Sequence, residues 1–157
     1  MRASPRLALC IATVGRTREL DRLLTSLGQQ TYTNFHIYLA DQNAPGILDD
    51  LLRQHEALPV SHVHLPSKGV STARNALFPM LEQEELIAFP DDDCWYAPDT
   101  LAQVVEAFRR HPEAGAVLGH WTPSPQISQP NSVEQALSTK ALFAQGEPAC
   151  NSSEPQL

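Results

Sequence analysis

Three consecutive carboxylates, Asp91-Asp92-Asp93, are the most chemically loaded run in this sequence. Two like charges about 4 Å apart cost on the order of 4 kcal/mol at an effective dielectric near 20. A solvated surface cluster would screen most of that, and such a cluster is the bland alternative. Placement argues against it. The triplet directly follows the apolar run Leu86-Ile87-Ala88-Phe89 and precedes Cys94-Trp95-Tyr96, so it stands at the end of a strand and not along a charged helix face. Carboxylates held there suit a hard divalent cation, Mg²⁺ or Mn²⁺, which takes oxygen ligands and bridges protein to substrate phosphate. Such a cation would let an acidic chain hold a diphosphate. The formal charge is −7, from 11 Lys+Arg against 18 Asp+Glu, which argues against nucleic acid as a partner, since binding its phosphates needs a basic face.

Other chemistries that place acidic groups at a strand end lack their companion motifs. A P-loop ATPase needs Gly-x-x-x-x-Gly-Lys-Ser/Thr and a dinucleotide fold needs Gly-x-Gly-x-x-Gly; neither occurs. A phosphotransfer receiver would place its acceptor Asp after the third strand, where Leu65 instead runs into Pro66-Ser67-Lys68. The six histidines show no ligand spacing. Cys10, Cys94 and Cys150 are odd in number and widely separated, so neither a zinc site nor a disulfide framework is indicated and a reduced, cytoplasmic setting is expected. No apolar stretch approaches the roughly 20 residues of a membrane span. The apolar run near the amino terminus is too short for a secretory signal and reads as a buried first strand.

The elements that must position the triplet alternate. Leu7 to Val14 is nearly continuously apolar, as a strand covered on both faces should be. Leu20, Leu23, Leu24 and Leu27 form one helical stripe. Phe35 to Ala40 is a second strand that delivers Asp41, and Leu48, Leu51, Leu52 and His55 mark a second helix. Val60 to Leu65 is a third, alternating strand. Gly69 opens a third helix, which Pro79 should kink or end early. After the fourth strand, Leu86 to Phe89, Pro98 suits the first turn of a fourth helix with the stripe Leu101, Val104, Val105 and Phe108. Ala114 to Leu118 reads as a fifth strand. Successive strand-helix units require crossovers, hence an α/β fold with a mostly parallel central sheet flanked by helices. Ligands of such sheets bind beyond the carboxyl ends of the strands, where Thr13, Asp41 and Asp91 to Asp93 all fall. Residues 1–121 are expected to form this unit. Residues 122–157 read as a Pro/Ser/Gln-rich connection and partly ordered tail, with a capping box at Ser132 and Gln135 opening a short helix through Phe143.

Four segments in order resemble the inverting family-two glycosyltransferases of the Rossmann-like GT-A fold. Ile11-Ala12-Thr13-Val14-Gly15-Arg16 is similar to the family's opening Ile-Pro-Thr-Tyr-Asn-Arg. Ser26-Leu27-Gly28-Gln29-Gln30-Thr31-Tyr32 and the strand ending at Asp41 resemble its next stretch. Lys68-Gly69-Val70-Ser71-Thr72-Ala73-Arg74-Asn75 is similar to Gly-x-Ser-x-Ala-Arg-Asn, and Phe89 to Pro98 resembles the Asp-x-Asp strand end followed by Pro. The resemblance implies a nucleotide-diphosphate sugar, UDP-linked, as donor. Thr13 and Asp41 would contact the base, Arg16 and Asp92 would belong to the donor site, and Arg74 would lie near the phosphates or sugar. Asp91 would hold the ribose or a metal-bound water, and Asp93 would ligate the cation. A glycan, a lipid-linked molecule or a protein would be the acceptor, with peripheral membrane association and homo-oligomerisation both left open.

Two departures are local: Ala12 stands for the usual Pro and Gln42 for a common second Asp. A larger one follows Gly119, where the only acidic residues are Glu134, Glu147 and Glu154, in segments that match no catalytic-base motif. The acceptor-binding part of the family is therefore expected to be absent and the catalytic residue is unassigned. A truncated, catalytically silent nucleotide-binding or assembly module is the competing expectation. A sugar-nucleotide pyrophosphorylase is disfavoured, because Thr13-Val14-Gly15-Arg16 lacks that group's Gly-rich signature.

Overall fold

The structure, a computed structural model, describes residues 4–81, 84–123 and 135–142. Strand β1 (Leu7–Thr13) is buried along almost its whole length, which explains its unbroken apolar sequence. Helix α1 (Thr17–Gly28) buries the leucine stripe, and β2 (Phe35–Asp41) follows. Helix α2 (Asp49–Gln54), strand β3 (Val60–His64), helix α3 (Val70–Leu77) and strand β4 (Leu86–Ala88) complete the first sheet. Its order is β3-β2-β1-β4 and every pairing is parallel. Pro79 acts as its chemistry dictates: α3 stops at Leu77 and a 3₁₀ turn, Phe78–Met80, replaces the helix.

Alternation along the strands divides the core into two layers. Leu7, Leu9, Ile11, Phe35, Ile37 and Leu39 face α1 and α2, where they meet Leu20, Leu23, Leu24, Leu27, Leu48 and Leu51. Ala8, Cys10, Tyr38 and Ala40 face α3 through Ala73 and Leu77. Small residues on this second face let α3 sit close to the sheet.

Beyond β4 the chain forms β5 (Trp95–Tyr96), α4 (Thr100–Arg110), β6 (Leu118–Pro123) and β7 (Gln135–Leu142). The last three strands make a second sheet ordered β5-β7-β6, with β6 and β7 antiparallel. Two expectations are corrected here. Residues 114–117 are not strand, because β4 offers them no pairing; the strand begins at Leu118. Gln135–Leu142 is a strand and not part of a helix, since β5 and β6 supply partners on both sides and tertiary pairing overrides a weak local preference. The remainder of the expected connection and tail, 124–134 and 143–157, lies outside the described residues, as does Cys150.

Candidate functional site

The order β3-β2-β1-β4 has its reversal between β1 and β4. The chain steps outward from β1 through β2 to β3, then crosses back to the other side of β1. At such a switch point the loops leaving neighbouring strands diverge and open a crevice. Here the crevice is a cleft of about 520 Å³ lined by residues that include Thr13, Arg16, Gln42, Gly69, Arg74 and the three aspartates. A single bridge, Ala12 to Asp91, continues the β1–β4 pairing up to its floor.

The aspartates do different things. Asp92 is turned inward, 8% exposed, and accepts a hydrogen bond from the Thr13 hydroxyl at 2.9 Å and from an Arg16 guanidinium nitrogen at 3.1 Å. Burial pushes its carboxyl above the ordinary range; the bonds from Thr13 and Arg16 pull the other way. Asp93 is half-exposed and pairs with the same Arg16 nitrogen at 2.5 Å. Asp91 is exposed and pairs with Arg74 at 3.0 Å. Asp92, then Asp93, holds the Arg16 guanidinium above its usual pKa. Arg74 also lies 5.5 Å above the Phe89 ring, and its buried Nε atom has no hydrogen-bond partner among the described residues.

Asp41 sits opposite Thr13 in the β1–β2 register but does not line the cleft. Its carboxylate is 2% exposed and accepts bonds from the Asn43 backbone N–H at 2.8 Å and the Asn43 side-chain amide at 2.7 Å. Nε2 of His62 lies 3.1 Å from its other oxygen. Asn43 in turn accepts from the Gly15 N–H at 2.6 Å. Gly15, at φ +71°, occupies the left-handed region where a side chain is strained. Asp41 thus fixes, through Asn43, the turn that presents Arg16.

Sequence reasoning missed the buttress behind the triplet. At the end of α1, the Ser26 hydroxyl accepts the Tyr96 N–H at 3.0 Å. Gln30 donates to the Ala97 carbonyl at 2.7 Å and accepts the Leu101 N–H at 3.0 Å. These bonds lash Tyr96, Ala97 and Leu101 to α1, and so fix where the segment after Asp93 goes. Their signal was the Ser26 to Tyr32 segment, which carried the resemblance without a stated role.

Among the described residues no three His, Cys, Asp or Glu side chains gather as a metal cluster. A cation that also binds substrate phosphates needs only one or two protein carboxylates. Asp91 and Asp93, with side chains 62% and 42% exposed at the cleft, have that chemistry, whereas the Asp92 carboxylate is largely buried and taken up by Thr13 and Arg16.

The sequence model of glycosyl transferase family 2 matches residues 8–148. The chain belongs to that family. A search of the curated proteins finds no match. Among solved structures, this family member is similar to a Pyrobaculum calidifontis mannosyltransferase solved with GDP-Man and Mn²⁺, at 21% identity and TM-score 0.68, covering 77% of this chain and 37% of that one. It is also similar to S. aureus TarS, at 19% identity and TM-score 0.62, covering 79% of this chain and 24% of that one. A 1–349 portion of TarS in complex with UDP matches with the same identity and score, 40% of it being covered. These likenesses establish the GT-A fold. The chain spans about a quarter to two fifths of the length of these solved structures.

Proposed function

We propose that this chain forms the donor-binding part of a glycosyltransferase that takes a nucleotide-diphosphate sugar, UDP-linked, together with Mg²⁺ or Mn²⁺, and transfers the sugar with inversion. The carrying observation is that Thr13, Arg16, Arg74, Asp91 and Asp93 share one cleft at the sheet's switch point. The fold is also that of proteins solved with UDP, with UDP-GlcNAc and with GDP-Man and Mn²⁺. Asp93, with Asp91 beside it, would hold the cation, which supplies Lewis-acid stabilisation of the departing diphosphate. Arg16 and Arg74 both line the cleft, and their planar forks suit phosphate oxygens. Thr13 and Asp41 lie at the base end: Thr13 borders the cleft, and Asp41 acts on it through Asn43 and the Gly15 turn. Asp92 holds Thr13 and Arg16 in place from beneath.

Residues 1–121 carry this site. The group that deprotonates the acceptor hydroxyl is assigned to no described residue, and the acceptor is a glycan, a lipid-linked molecule or a protein. The competing reading is a catalytically silent nucleotide-binding or assembly module. Calorimetry separates the cases. UDP should bind in the presence of Mn²⁺, more tightly than GDP, and binding should be lost in Asp93→Ala. Unchanged affinity in that variant would falsify the site. Nucleotide binding with neither sugar transfer nor donor hydrolysis would select the silent module.

A further inference from the structure

The cleft's far wall is the loop between β3 and α3, and one side chain reaches across to hold it. Gln42 follows Asp41 at the end of β2, so its side chain points to the α3 face of the sheet while that of Asp41 points to the α1 face. Only 7% exposed, its amide meets three backbone groups of that loop. Oε1 accepts the Gly69 N–H at 3.3 Å, and Nε2 donates to the Gly69 carbonyl at 3.3 Å and to the Ser67 carbonyl. The Gln42 backbone N–H donates to the Thr13 carbonyl at 3.0 Å. One residue therefore joins the carboxyl end of β1, the carboxyl end of β2 and the start of α3.

The loop needs such a tie. Gly69 caps α3 at φ +132°, a conformation that side chains rarely adopt, and the first α3 turn begins from it. Gly69 and Val70 line the cleft, and Arg74, one turn on, reaches Asp91. Only a primary amide fits the pattern, with N–H groups for two carbonyls and a carbonyl for one N–H. A carboxylate, which the resembled family often carries here, has no hydrogen to offer Ser67 or Gly69.

We infer that Gln42 is a positioning residue for the donor site, clamping the Ser67–Gly69 loop so that α3 and Arg74 face the diphosphate. This rests on the donor-site reading. Gln42→Glu tests it, being isosteric but without the donor. At pH 7.5 that variant should bind UDP with Mn²⁺ roughly tenfold more weakly than the natural chain, the loss of a buried hydrogen bond. Uridine, followed by saturation-transfer NMR, should bind both proteins alike. A protonated glutamic acid restores one donor and the acceptor. Burial against carbonyls raises its pKa, so the UDP deficit should narrow between pH 7.5 and pH 5, measured against the natural chain at each pH. Hydrogen exchange at the Gly69 N–H without nucleotide should be faster in the variant. Equal UDP affinity at every pH, equal loss of uridine and UDP, or unchanged Gly69 exchange would each overturn the clamp. A natural chain that fails to bind UDP at all refutes the donor-site reading instead, and the Gly69 exchange still decides the clamp.

Discussion

Asp92 and Asp93 are adjacent in sequence yet live in different dielectrics, and that difference is measurable as stability. Burial raises the Asp92 pKa above its ordinary value of about 3.9. The native state then binds the proton more tightly than the unfolded chain does. Its stabilising contribution is complete below the ordinary value and is lost as pH rises through the higher native one. Asn at this position has no proton to lose and can still accept the Thr13 hydroxyl. The Arg16 pair it gives up is half-exposed, worth about 1 kcal/mol at most. We expect the melting temperature of Asp92→Asn, relative to the natural chain, to improve between about pH 3.5 and pH 6.5. A relative melting temperature that falls over that interval would show that the Arg16 pair outweighs burial. The sequence showed the triplet as a unit but not this division. The β1–β4 register carries on to the Ala12–Asp91 bridge and so brings Asp92 beside Thr13, a long-range pairing that the triplet's own residues do not encode. Nor could it show that Asp41 would be engaged by Asn43 and His62, because those bonds join residues from two strands and a turn.

At the scale of elements, the chemistry of the triplet depends on a helix that does not touch it through its apolar face. The α1 leucines were legible from their spacing, and the structure buries every one of them. The polar residues at the end of the helix were not, because Ser26 and Gln30 find their partners some 70 positions away, in Tyr96 and Leu101. Gln30→Ala would leave the buried Leu101 N–H without its acceptor, a loss of roughly 1–3 kcal/mol. Urea unfolding should show a lower midpoint with an unchanged slope. The exposed neighbour, Gln29→Ala, should shift it by less than about 0.5 kcal/mol. Equal effects of the two substitutions would mean that the buttress carries no energy. The same range effect explains β7. Gln135 to Leu142 mixes Ala, Leu, Ser, Thr and Lys, a composition without decisive preference, and only the presence of β5 and β6 makes it a strand.

For the molecule as a whole, strand-helix alternation was sufficient to give the parallel sheet, because parallel neighbours require crossovers. It could not give the strand order, since nothing local says on which side of β1 the fourth strand lands. That order creates both the cleft and an open edge. Among the described residues β4 pairs with β1 alone. Beside its outer edge lies a second cavity, of about 590 Å³, lined largely by apolar groups that include Ile87, Phe89, Val104, Phe108 and Leu118. Ile87, Phe89 and Leu118 are 42%, 45% and 61% exposed. An unpaired strand edge with apolar side chains invites association with another chain, and a net charge of −7 opposes it only through long-range repulsion that salt screens. We therefore expect the protein to bind the dye ANS, and to self-associate more in 0.5 M than in 0.05 M NaCl. Ile87→Lys places a charge at the edge, a device by which natural edge strands resist pairing. It should reduce both dye fluorescence and light scattering. Because Ile87 does not line the donor cleft, UDP affinity should be unaltered. Dye binding that persists in full in Ile87→Lys would place the exposed apolar surface elsewhere, and a parallel fall in UDP affinity would show that the two cavities do not act independently.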